Sequence, residues 1–385
     1  MSDSRRSRKR KKVTRSRARL RVWGVINVAI LLVFTGWVFR NADQTQARAA
    51  AAKAAVSASA SATKSATATA TASASASTST STTSIPTKAQ ILALSGKYFG
   101  VTALNVPSST SAYEAIAKKA GVAPNMVEYY VNWTHSYDAT VVRDAYAEGA
   151  LPVLTWQSFA GLQGSTARTL DQSAYTLATI IDGDHDAYIT TFAKAVKAAQ
   201  YPIVIRLDHE MDGNWFPWSE GVNGNTSGQY VEAWRHIWTL FQEAGATNVI
   251  WDWAPNILRG ATNTDLAELY PGDKYVDWIG LSAYDDTEYT AKALILPSLD
   301  AIREFTQRPL LITETGAEPG EQKTAFTENF LSWLPTRSDV IGFIWNEITK
   351  AQGSSADWGF DADTSTLAAF QSGIKSLTLA KIPAA

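Results

Sequence analysis

The sequence predicts an α/β protein whose folded domain is a (β/α)8 barrel, preceded by a single membrane-spanning helix and a disordered linker. Three observations support this prediction: an uncharged apolar run near the N-terminus, an Ala/Ser/Thr-rich stretch after it, and eight short apolar runs that alternate with helix-period segments. A chain of 385 residues can hold one large barrel with appendages. The predicted boundaries are residues 1–21 for a basic tail, 22–39 for the membrane helix, 40–90 for the linker and 91–378 for the barrel.

Residues 22–39 form an uncharged run of eighteen residues, which is long enough for a helix to cross the hydrocarbon core of a bilayer. Trp23 and Trp37 lie near its ends, where interfacial indoles are common. Residues 1–21 have a net charge of +10, whereas the rest of the chain carries −11. Because basic flanks stay in the cytoplasm, we predict a single-pass signal anchor in the cell membrane, with a cytoplasmic N-terminus and an extracellular folded domain.

The basic tail also allows other interpretations. A run of Lys and Arg can bind nucleic acid, but the adjoining apolar helix favours a role in membrane topology, so we expect no nucleic-acid partner. A cleaved secretory signal would end near Ala49 and give a secreted protein, although that site lies rather far past Phe39. The Arg5-Arg6 pair stands in too uniformly basic a context to indicate twin-arginine export.

The segment between Asn41 and Thr87 is dominated by Ala, Ser and Thr. Such a composition cannot bury a core, and the Ser and Thr side chains compete with a helix for backbone hydrogen bonds. We therefore predict a disordered spacer that holds the folded domain away from the membrane.

Eight apolar runs follow the linker, each short enough to form one strand. They are KYFGV (97–101), MVEYYVNW (126–133), LPVLTW (151–156), PIVIRLDHE (202–210), NVIWDWAP (248–255), YVDWIGLSAY (275–284), PLLITE (309–314) and VIGFIWN (340–346). Amphipathic segments separate them, and eight strands with eight helices over about 280 residues fit a closed barrel better than an open doubly wound sheet. No phosphate-binding GxGxxG or GxxxxGK[ST] motif follows the first run, so nucleotide binding has no support.

The amino-acid composition limits the possible chemistry. The chain has no cysteine, which excludes disulfides, a thiol nucleophile, iron–sulfur clusters and cysteine-ligated zinc. Its four histidines include no pair at the i, i+4 spacing of a zinc helix, so we expect neither a metal site nor a cofactor. Fourteen tryptophans exceed what a core of this size needs, which indicates flat apolar faces that contact a ligand.

Two glutamates stand at predicted strand ends. Active groups of (β/α)8 barrels lie at the carboxyl ends of the strands, and Glu210 and Glu314 end the fourth and seventh runs. In glycosidic cleavage one carboxyl group protonates the leaving oxygen and another attacks the anomeric carbon. We assign the acid to Glu210 because its neighbours could desolvate it or bind its neutral form; they are His209, Trp215 and Trp218. Glu314 is then the nucleophile.

Several ordered sequence blocks resemble glycoside hydrolase family 26. The blocks are RLDHEMDGNWFPW (206–218), AWRHIW (233–238), WAPN (253–256), YPGDKYVDWIGLSAY (270–284), ITETG (312–316), IWNEITK (344–350) and DW (357–358). They span nearly all of residues 97–360. The resemblance implies a retaining, endo-acting hydrolase on a (β/α)8 barrel, most commonly a β-1,4-mannanase, while some relatives cleave mixed-linkage β-glucan or β-1,3-xylan.

The resemblance also implies roles for individual residues. It carries the proton donor to Glu210 and the nucleophile to Glu314. The residues that it places around the attacked sugar are His209, Trp215, Tyr284 and Trp345. Because Tyr284 ends the sixth run, we expect its hydroxyl to reach Glu314 and to hold that carboxylate in line for attack.

Further tryptophans lie at strand ends or in the loops after them, where a pyranose ring can stack on an indole. The expected platforms are Trp156, Trp215, Trp218, Trp253 and Trp345. Trp234 and Trp238, in contrast, are four residues apart on one predicted helix face and should pack against the barrel.

One position departs from the family pattern, in which the block usually reads HEMNG. This chain has Asp212 in place of the asparagine. If the carboxylate faces the cleft, its charge raises the proton affinity of Glu210; if it points outward, it changes little. Asp277 is a further acidic residue, but it lies early in its strand and is expected to make a structural hydrogen bond.

Other classes of function remain open from the sequence. A non-catalytic glycan-binding barrel would keep aromatic platforms but lack one carboxylate, and both carboxylates are present. A structural surface protein gives no purpose to the HEMDGNWFPW block. The expected partners are a β-linked polysaccharide and the membrane, bound by a monomer. An anchored hydrolase could trim a polymer that the cell itself exports.

Overall fold

A computed structural model of the chain describes residues 85–161, 170–286 and 290–383. The predicted basic tail, the predicted membrane helix at 22–39 and the linker up to residue 84 lie outside these ranges and remain predictions. Within the described ranges, none of the helices has the length and apolar character that crossing a bilayer requires.

Eight parallel strands form one closed barrel in chain order, which confirms the predicted (β/α)8 fold. The strands are β1 (Tyr98–Thr102), β2 (Met126–Asn132), β3 (Leu151–Gln157), β4 (Ile203–Leu207), β5 (Val249–Trp253), β6 (Trp278–Asp285), β7 (Leu310–Ala317) and β8 (Val340–Asn346). Strand β8 closes the barrel by pairing with β1, from Tyr98 opposite Gly342 to Thr102 opposite Asn346. The carboxyl ends of all strands therefore meet at one mouth.

Helices cover the outside of the barrel. Those that the structure describes are α1 (Lys88–Leu92), α2 (Thr110–Ala120), α3 (Ala139–Ala147), α4 (Leu177–Ile181), α5 (Asp186–Ala199), α6 (Gln229–Ala244), α7 (Ala291–Arg303), α8 (Glu321–Trp333) and α9 (Thr364–Ile374). Ser109, Asp138 and Asp363 begin α2, α3 and α9, because each side chain accepts a hydrogen bond from a backbone N–H of the first turn.

One of the eight predicted crossover helices is absent. The connection from β5 to β6, residues 254–277, is described throughout and contains turns but no α-helix. Pro255 and Pro271 lack the backbone donor that a helix needs, and Gly260 and Gly272 lower the helix propensity further. The connection is fixed instead by hydrogen bonds to the barrel, such as Ile257 N to the carbonyl oxygen of Ser282 (3.0 Å).

A polar network fills the upper interior of the barrel. Glu128 on β2 accepts hydrogen bonds from Thr102 on β1 (2.6 Å) and Thr155 on β3 (2.5 Å). Arg206 on β4 reaches both Glu128 (3.3 Å) and Glu314 on β7 (2.5 Å). Contacts between strands on opposite sides must lie inside the barrel. Because strand side chains alternate between the two faces, the sequence neighbours of these residues point outward into the helix layer.

The amino-terminal end of the barrel is closed by α1 and the C-terminal segment. Lys88 on α1 pairs with Asp277 (2.7 Å), which stands just before β6 and has the structural role expected for it. Lys97 Nζ donates to the carbonyl oxygen of Val340 at the start of β8 (2.5 Å). The backbone of Ala380 donates to the carbonyl of Lys97 (2.9 Å).

The first described residues also lie at this end, opposite the mouth. Ile85 and Thr87 line one hollow together with Gln200 and Asn248, which stand just before β4 and β5. Because Thr87 caps α1, regular structure starts within the predicted linker, a few residues before the predicted barrel boundary at 91. The chain therefore enters the folded domain at the end remote from the strand carboxyl termini.

Candidate active site

The two glutamates selected from the sequence meet at the mouth of the barrel. Ser282 pairs with Glu314 across β6 and β7, accepts a hydrogen bond from Arg206 Nη2 (2.7 Å) and also bonds Glu210. The negative charge of Glu314 acts on Glu210 directly, because it contributes to the raised pKa of the Glu210 carboxyl. Strand ends that are far apart in sequence thus bring two carboxyl groups together.

Glu314 is held in one orientation from several sides. Its Oε1 accepts hydrogen bonds from the Tyr130 hydroxyl (2.9 Å) and from Arg206 Nη1 (2.5 Å). Its Oε2 accepts from the Tyr284 hydroxyl (2.9 Å), so the contact predicted for Tyr284 is present. His209 Nε2 lies 3.8 Å from Oε1. Both carboxylate oxygens are therefore fixed, and the residue keeps only 5% of its surface exposed.

Glu210 lies in a more apolar environment. It is 9% exposed, and its Oε2 accepts one hydrogen bond from Trp215 Nε1 (2.7 Å). Burial raises the pKa of Glu210 to about 7, with the charge of Glu314 as a second cause, although Arg206, Ser282 and Trp215 act in the opposite direction. The carboxyl group therefore keeps a proton near neutral pH, as a general acid must.

The loop that carries Glu210 has a left-handed backbone on both sides of His209. Asp208 has a φ of 42° and Glu210 a φ of 53°. Such a backbone costs a residue other than glycine on the order of 1–3 kcal/mol and persists only where neighbouring contacts enforce it. Ser158 supplies two of these contacts, from its backbone N and its Oγ to the Asp208 carboxylate (2.7 Å each). The Glu210 N–H donates to the carbonyl oxygen of Ala254 (2.7 Å).

Gly213 allows Trp215 to approach Glu210. A Cβ at this position would lie 2.4 Å from the indole ring of Trp215. Any side chain at this position must displace the ring and with it the donor to Glu210. The glycine is therefore required by space and not by an unusual φ.

His209 and Trp218 form a layer beside Glu314. Burial lowers the pKa of His209 well below its usual value, with Arg206 as a second cause, so the ring is neutral. Trp218 stacks on Phe216 (4.3 Å) and donates to the backbone carbonyl of His209 (2.7 Å). Because Trp218 is fully buried, it positions His209 and is not the sugar platform that we predicted.

Three other tryptophans predicted as platforms point away from the mouth. Trp156 stacks on α5 (4.5 Å), Trp345 packs edge-on against α9 (5.4 Å), and Trp253 packs against the β5–β6 connection (5.1 Å). All three are fully buried between the barrel and its outer layer. The prediction that they contact substrate is wrong.

Strand alternation explains this error. Trp156 follows the inward-facing Thr155 by one residue, so its side chain must point outward. Trp345 likewise precedes Asn346, whose Nδ2 donates to the Tyr284 hydroxyl inside the mouth (3.0 Å). A position at a strand end does not decide which face a side chain takes, and the parity within the strand does.

A substitution at Trp156 tests this assignment. Trp156→Phe is expected to lower the free energy of unfolding by about 2 kcal/mol, because it leaves space between β3 and α5. The kcat/KM of the folded enzyme on polysaccharide should stay within about twofold, because the ring does not reach the mouth. Chemical denaturation and initial rates measure the two effects. A large loss of kcat/KM with unchanged stability would restore Trp156 to the cleft.

Asp212 neither faces the cleft nor points into solvent. Its carboxyl is fully buried, and Oδ1 accepts a hydrogen bond from the backbone N–H of Asn256 (2.8 Å). Its carbonyl oxygen accepts from the N–H groups of Thr262 (2.8 Å) and Asn263 (2.9 Å). Burial raises the pKa of Asp212 well above its usual value. The residue therefore ties the loop of Glu210 to the β5–β6 connection.

Sequence reasoning missed several residues of the site. Tyr130 and Arg206 both bond Glu314, and Asn346 bonds Tyr284. A usable signal was present in the run MVEYYVN, where Glu128, Tyr130 and Asn132 occupy every second position of a buried strand. Polar side chains at that spacing share one face, and in a closed barrel that face is the interior.

Within the described ranges, no cluster of three His, Asp or Glu side chains is arranged to hold a metal ion. The cation that touches Glu314 is the guanidinium of Arg206, which is fully buried and always charged. The chemistry that this arrangement can perform is acid–base and nucleophilic catalysis by two carboxyl groups with different pKa environments.

Comparisons with known proteins agree on one family. The model of Glycosyl hydrolase family 26 matches residues 71–314. Endoglucanase H of Acetivibrio thermocellus is 30% identical over 281 residues, which cover 69% of this chain and 29% of that protein. Mannan endo-1,4-beta-mannosidase A and B of Caldalkalibacillus mannanilyticus is 25% identical over 171 residues, which cover 42% of this chain and 31% of that protein. The chain thus spans about three tenths of the length of either relative.

The barrel is also similar to solved structures. A GH26 beta-mannanase from Bacteroides ovatus superposes with a TM-score of 0.57 at 17% identity, over 73% of this chain and 89% of that chain. Identity at this level supports the similarity of fold alone.

Proposed function

Because the chain belongs to glycosyl hydrolase family 26, we propose that it hydrolyses internal β-1,4 bonds of a mannan-type polysaccharide with retention of configuration at the anomeric carbon. The observation that carries this proposal is the pairing of Glu210, whose pKa is raised to about 7, with Glu314, whose two oxygens are fixed by Tyr130, Arg206 and Tyr284. Two carboxyl groups that differ in this way supply the acid and the nucleophile of a double displacement.

In the first step, Glu314 attacks the anomeric carbon and Glu210 gives its proton to the glycosidic oxygen. The bond from the anomeric carbon to that oxygen breaks, and an ester forms between the sugar and Glu314. The hydroxyls of Tyr130 and Tyr284 hold the attacking carboxylate while its charge is lost. Arg206 compensates the charge of Glu314 before attack and stabilises it again when it leaves.

In the second step, the roles of the carboxyl groups change. Glu210 is now ionised and removes a proton from a water molecule, which attacks the anomeric carbon. Glu314 departs as a carboxylate, and Glu210 has recovered its proton. The sugar leaves with its original configuration because it was inverted twice.

The charges of the mouth favour a neutral polysaccharide. Arg206 is engaged by Glu314, Glu128 and Ser282, and is fully buried. A uronic acid would bring a further negative charge towards Glu314 without a free cation nearby to compensate it. Mannan and glucan both meet this requirement.

Mixed-linkage β-glucan is the second candidate substrate. It is favoured because the relative that matches the largest share of this chain among those compared is named an endoglucanase. Several others are named mannan endo-1,4-beta-mannosidases, which supports mannan.

The test is incubation of the full-length chain with mannan, mixed-linkage glucan and β-1,3-xylan, followed by measurement of new reducing ends. Mannan is expected to give the highest kcat/KM, and NMR of the first products should show the β anomer before mutarotation. A preference for mixed-linkage glucan would change the substrate but keep the mechanism. An initial α anomer, or no cleavage of any of the three, would contradict the proposal.

The pKa of Glu210 predicts the alkaline limb of the pH profile. Because the proton on Glu210 is needed for the first step, kcat/KM should fall about tenfold for each pH unit above about 7. Trp215→Phe removes a hydrogen bond that stabilises the ionised carboxylate, so its limb should move to higher pH. Initial rates between pH 5 and 10, flagged here as roughly that range, measure both profiles. A limb that moves downward in Trp215→Phe would contradict this account.

We also propose that the barrel is anchored outside the cell membrane by residues 22–39. The uncharged run behind a tail of net charge +10 supports this. Cell fractionation should recover the full-length chain in the membrane, and external protease should remove the barrel from intact cells. Quantitative release of the protein into the medium would favour cleavage near Ala49 instead.

A further inference from the structure

Two amide side chains at the strand ends carry buried polar atoms that make no hydrogen bond within residues 85–161, 170–286 and 290–383. Asn132, at the end of β2, is 1% exposed and has no partner there for Nδ2. Gln157, at the end of β3, is 3% exposed and has none for Oε1. A buried donor or acceptor left unpaired costs about 1–3 kcal/mol, so such atoms call for a ligand or another reason.

Both side chains face the barrel mouth. Asn132 and Gln157 are paired in register across β2 and β3. They share the inward parity of Tyr130 and Thr155, whose hydroxyls bond Glu314 and Glu128 in the interior. Asn132 lies two residues beyond Tyr130 on the same strand, which is about 7 Å nearer to the solvent at the usual strand rise. The pair thus stands above a hydrogen-bond partner of Glu314.

The orientation of the Asn132 amide is fixed. Its Oδ1 accepts hydrogen bonds from Thr134 N (2.9 Å) and Thr134 Oγ1 (2.6 Å), and it lies 3.0 Å from His135 Nδ1. These contacts hold Oδ1 towards the turn after β2, so Nδ2 must point the other way. The donor is therefore positioned before any ligand arrives, which lowers the entropy cost of binding.

The chemistry of the pair selects its ligand. An amide N–H and an amide oxygen side by side can donate to and accept from the same hydroxyl group or two adjacent ones. Neither group is charged, so they provide no attraction for a carboxylate or phosphate. A site built to bond hydroxyl groups discriminates strongly against ligands that lack them, because its own polar atoms are then left unpaired.

We propose that Asn132 and Gln157 form a subsite that hydrogen-bonds the hydroxyl groups of a neutral sugar unit next to the one attacked by Glu314. This inference rests on the proposed hydrolase function and adds a determinant of substrate binding to it. Because these contacts form with the bound substrate and persist in the transition state, they lower KM more than they raise kcat.

Two near-isosteric variants test the subsite. Asn132→Asp keeps the oxygen held by Thr134 but removes the Nδ2 donor, and Gln157→Met removes the acceptor with little change of volume. Each should raise KM for the cleaved polysaccharide by about tenfold or more with kcat changed by less than about threefold. The matched control is Val131→Ala, on the outward face of β2, which should leave both constants unchanged.

Thermal unfolding separates this role from a structural one. Gln157→Met removes a buried atom without a partner, so its melting temperature should equal or exceed that of the wild type while its KM rises. A fall in stability with an unchanged KM would show that the pair is structural and would overturn the inference. Wild-type protein that cleaves none of the polysaccharides would instead refute the proposed function.

Oligosaccharide binding gives an independent measurement. Titration of manno- and gluco-oligosaccharides of increasing length into the Glu314→Ala variant reports affinity without cleavage. Addition of Asn132→Asp to that background should weaken the binding of the longer oligosaccharides by about tenfold, because only these reach the neighbouring subsite. Equal affinity in both backgrounds would contradict the subsite.

Discussion

Glu314→Ala is expected to lower kcat/KM on polysaccharide by about 10⁴-fold or more, because the carboxylate that forms the glycosyl ester is gone. The loss should be similar for the polymer and for an aryl glycoside, since both require attack on the anomeric carbon. Reducing-end release by the full-length chain measures the first, and liberation of the phenol measures the second. Retention of more than about a tenth of the wild-type rate would exclude Glu314 as the nucleophile.

Glu210→Ala should behave differently with the two substrates. On polysaccharide we expect a loss of about 10²–10⁴-fold, because the leaving oxygen is not protonated. An aryl glycoside with an acidic phenol leaves without help, so the formation of the glycosyl ester should be affected much less. The dependence of the loss on the leaving group therefore distinguishes the acid from the nucleophile.

Azide provides a control for both variants. In Glu314→Ala, azide can enter from the side of the missing carboxylate and give a glycosyl azide of inverted configuration. In Glu210→Ala, azide can attack the ester on Glu314 and give a product of retained configuration. NMR of the products identifies the anomers. The same anomer from both variants would contradict the assignment of the two roles.

Arg206→Met is expected to have the second largest effect, on stability and activity together. Arg206 is fully buried and contacts Glu128, Glu314 and Ser282. Its loss leaves two buried carboxyl groups without a cation, which should cost about 3–5 kcal/mol of unfolding free energy. The kcat/KM of the folded fraction should fall roughly 10²-fold, because the charge of Glu314 is no longer compensated.

Two further variants separate the causes of this loss. Arg337→Ala breaks a surface pair with Asp339 and should change the unfolding free energy by less than about 1 kcal/mol. Adding Glu128→Gln to Arg206→Met removes one uncompensated charge and should restore part of the stability, but not the activity. Denaturant unfolding and initial rates supply the measurements. A double variant no more stable than Arg206→Met would show that the two residues are not coupled.

The barrel could be predicted because its signals are local. Each strand is a short apolar run bounded by glycine or proline, and the order of the runs decides the topology. Glu210 and Glu314 could be selected because strand ends of a parallel barrel meet at one mouth. The absent helix between β5 and β6 lies where Pro255 and Pro271 oppose it, and the prediction gave their presence too little weight.

The directions of side chains were harder to predict. Trp156 and Trp345 were expected in the cleft because they stand at strand ends, although parity turns both outward. Parity needs a reference residue whose direction is known, and Glu128 or Arg206 becomes one only when contacts across the barrel are seen. The buried position of Asp212 depends on the loop at 254–263, which has no periodicity from which its path could be predicted.

Entry of the chain at Ile85, on the side of the barrel away from Glu210 and Glu314, has a geometric consequence for access. A polymer of any length can lie across the reactive groove without colliding with the leading segment. If that segment is fixed to a surface, the groove opens towards the surrounding medium, and long glycan strands in the medium can reach it. Shortening the leader would then alter how far the catalyst ranges and leave its turnover untouched.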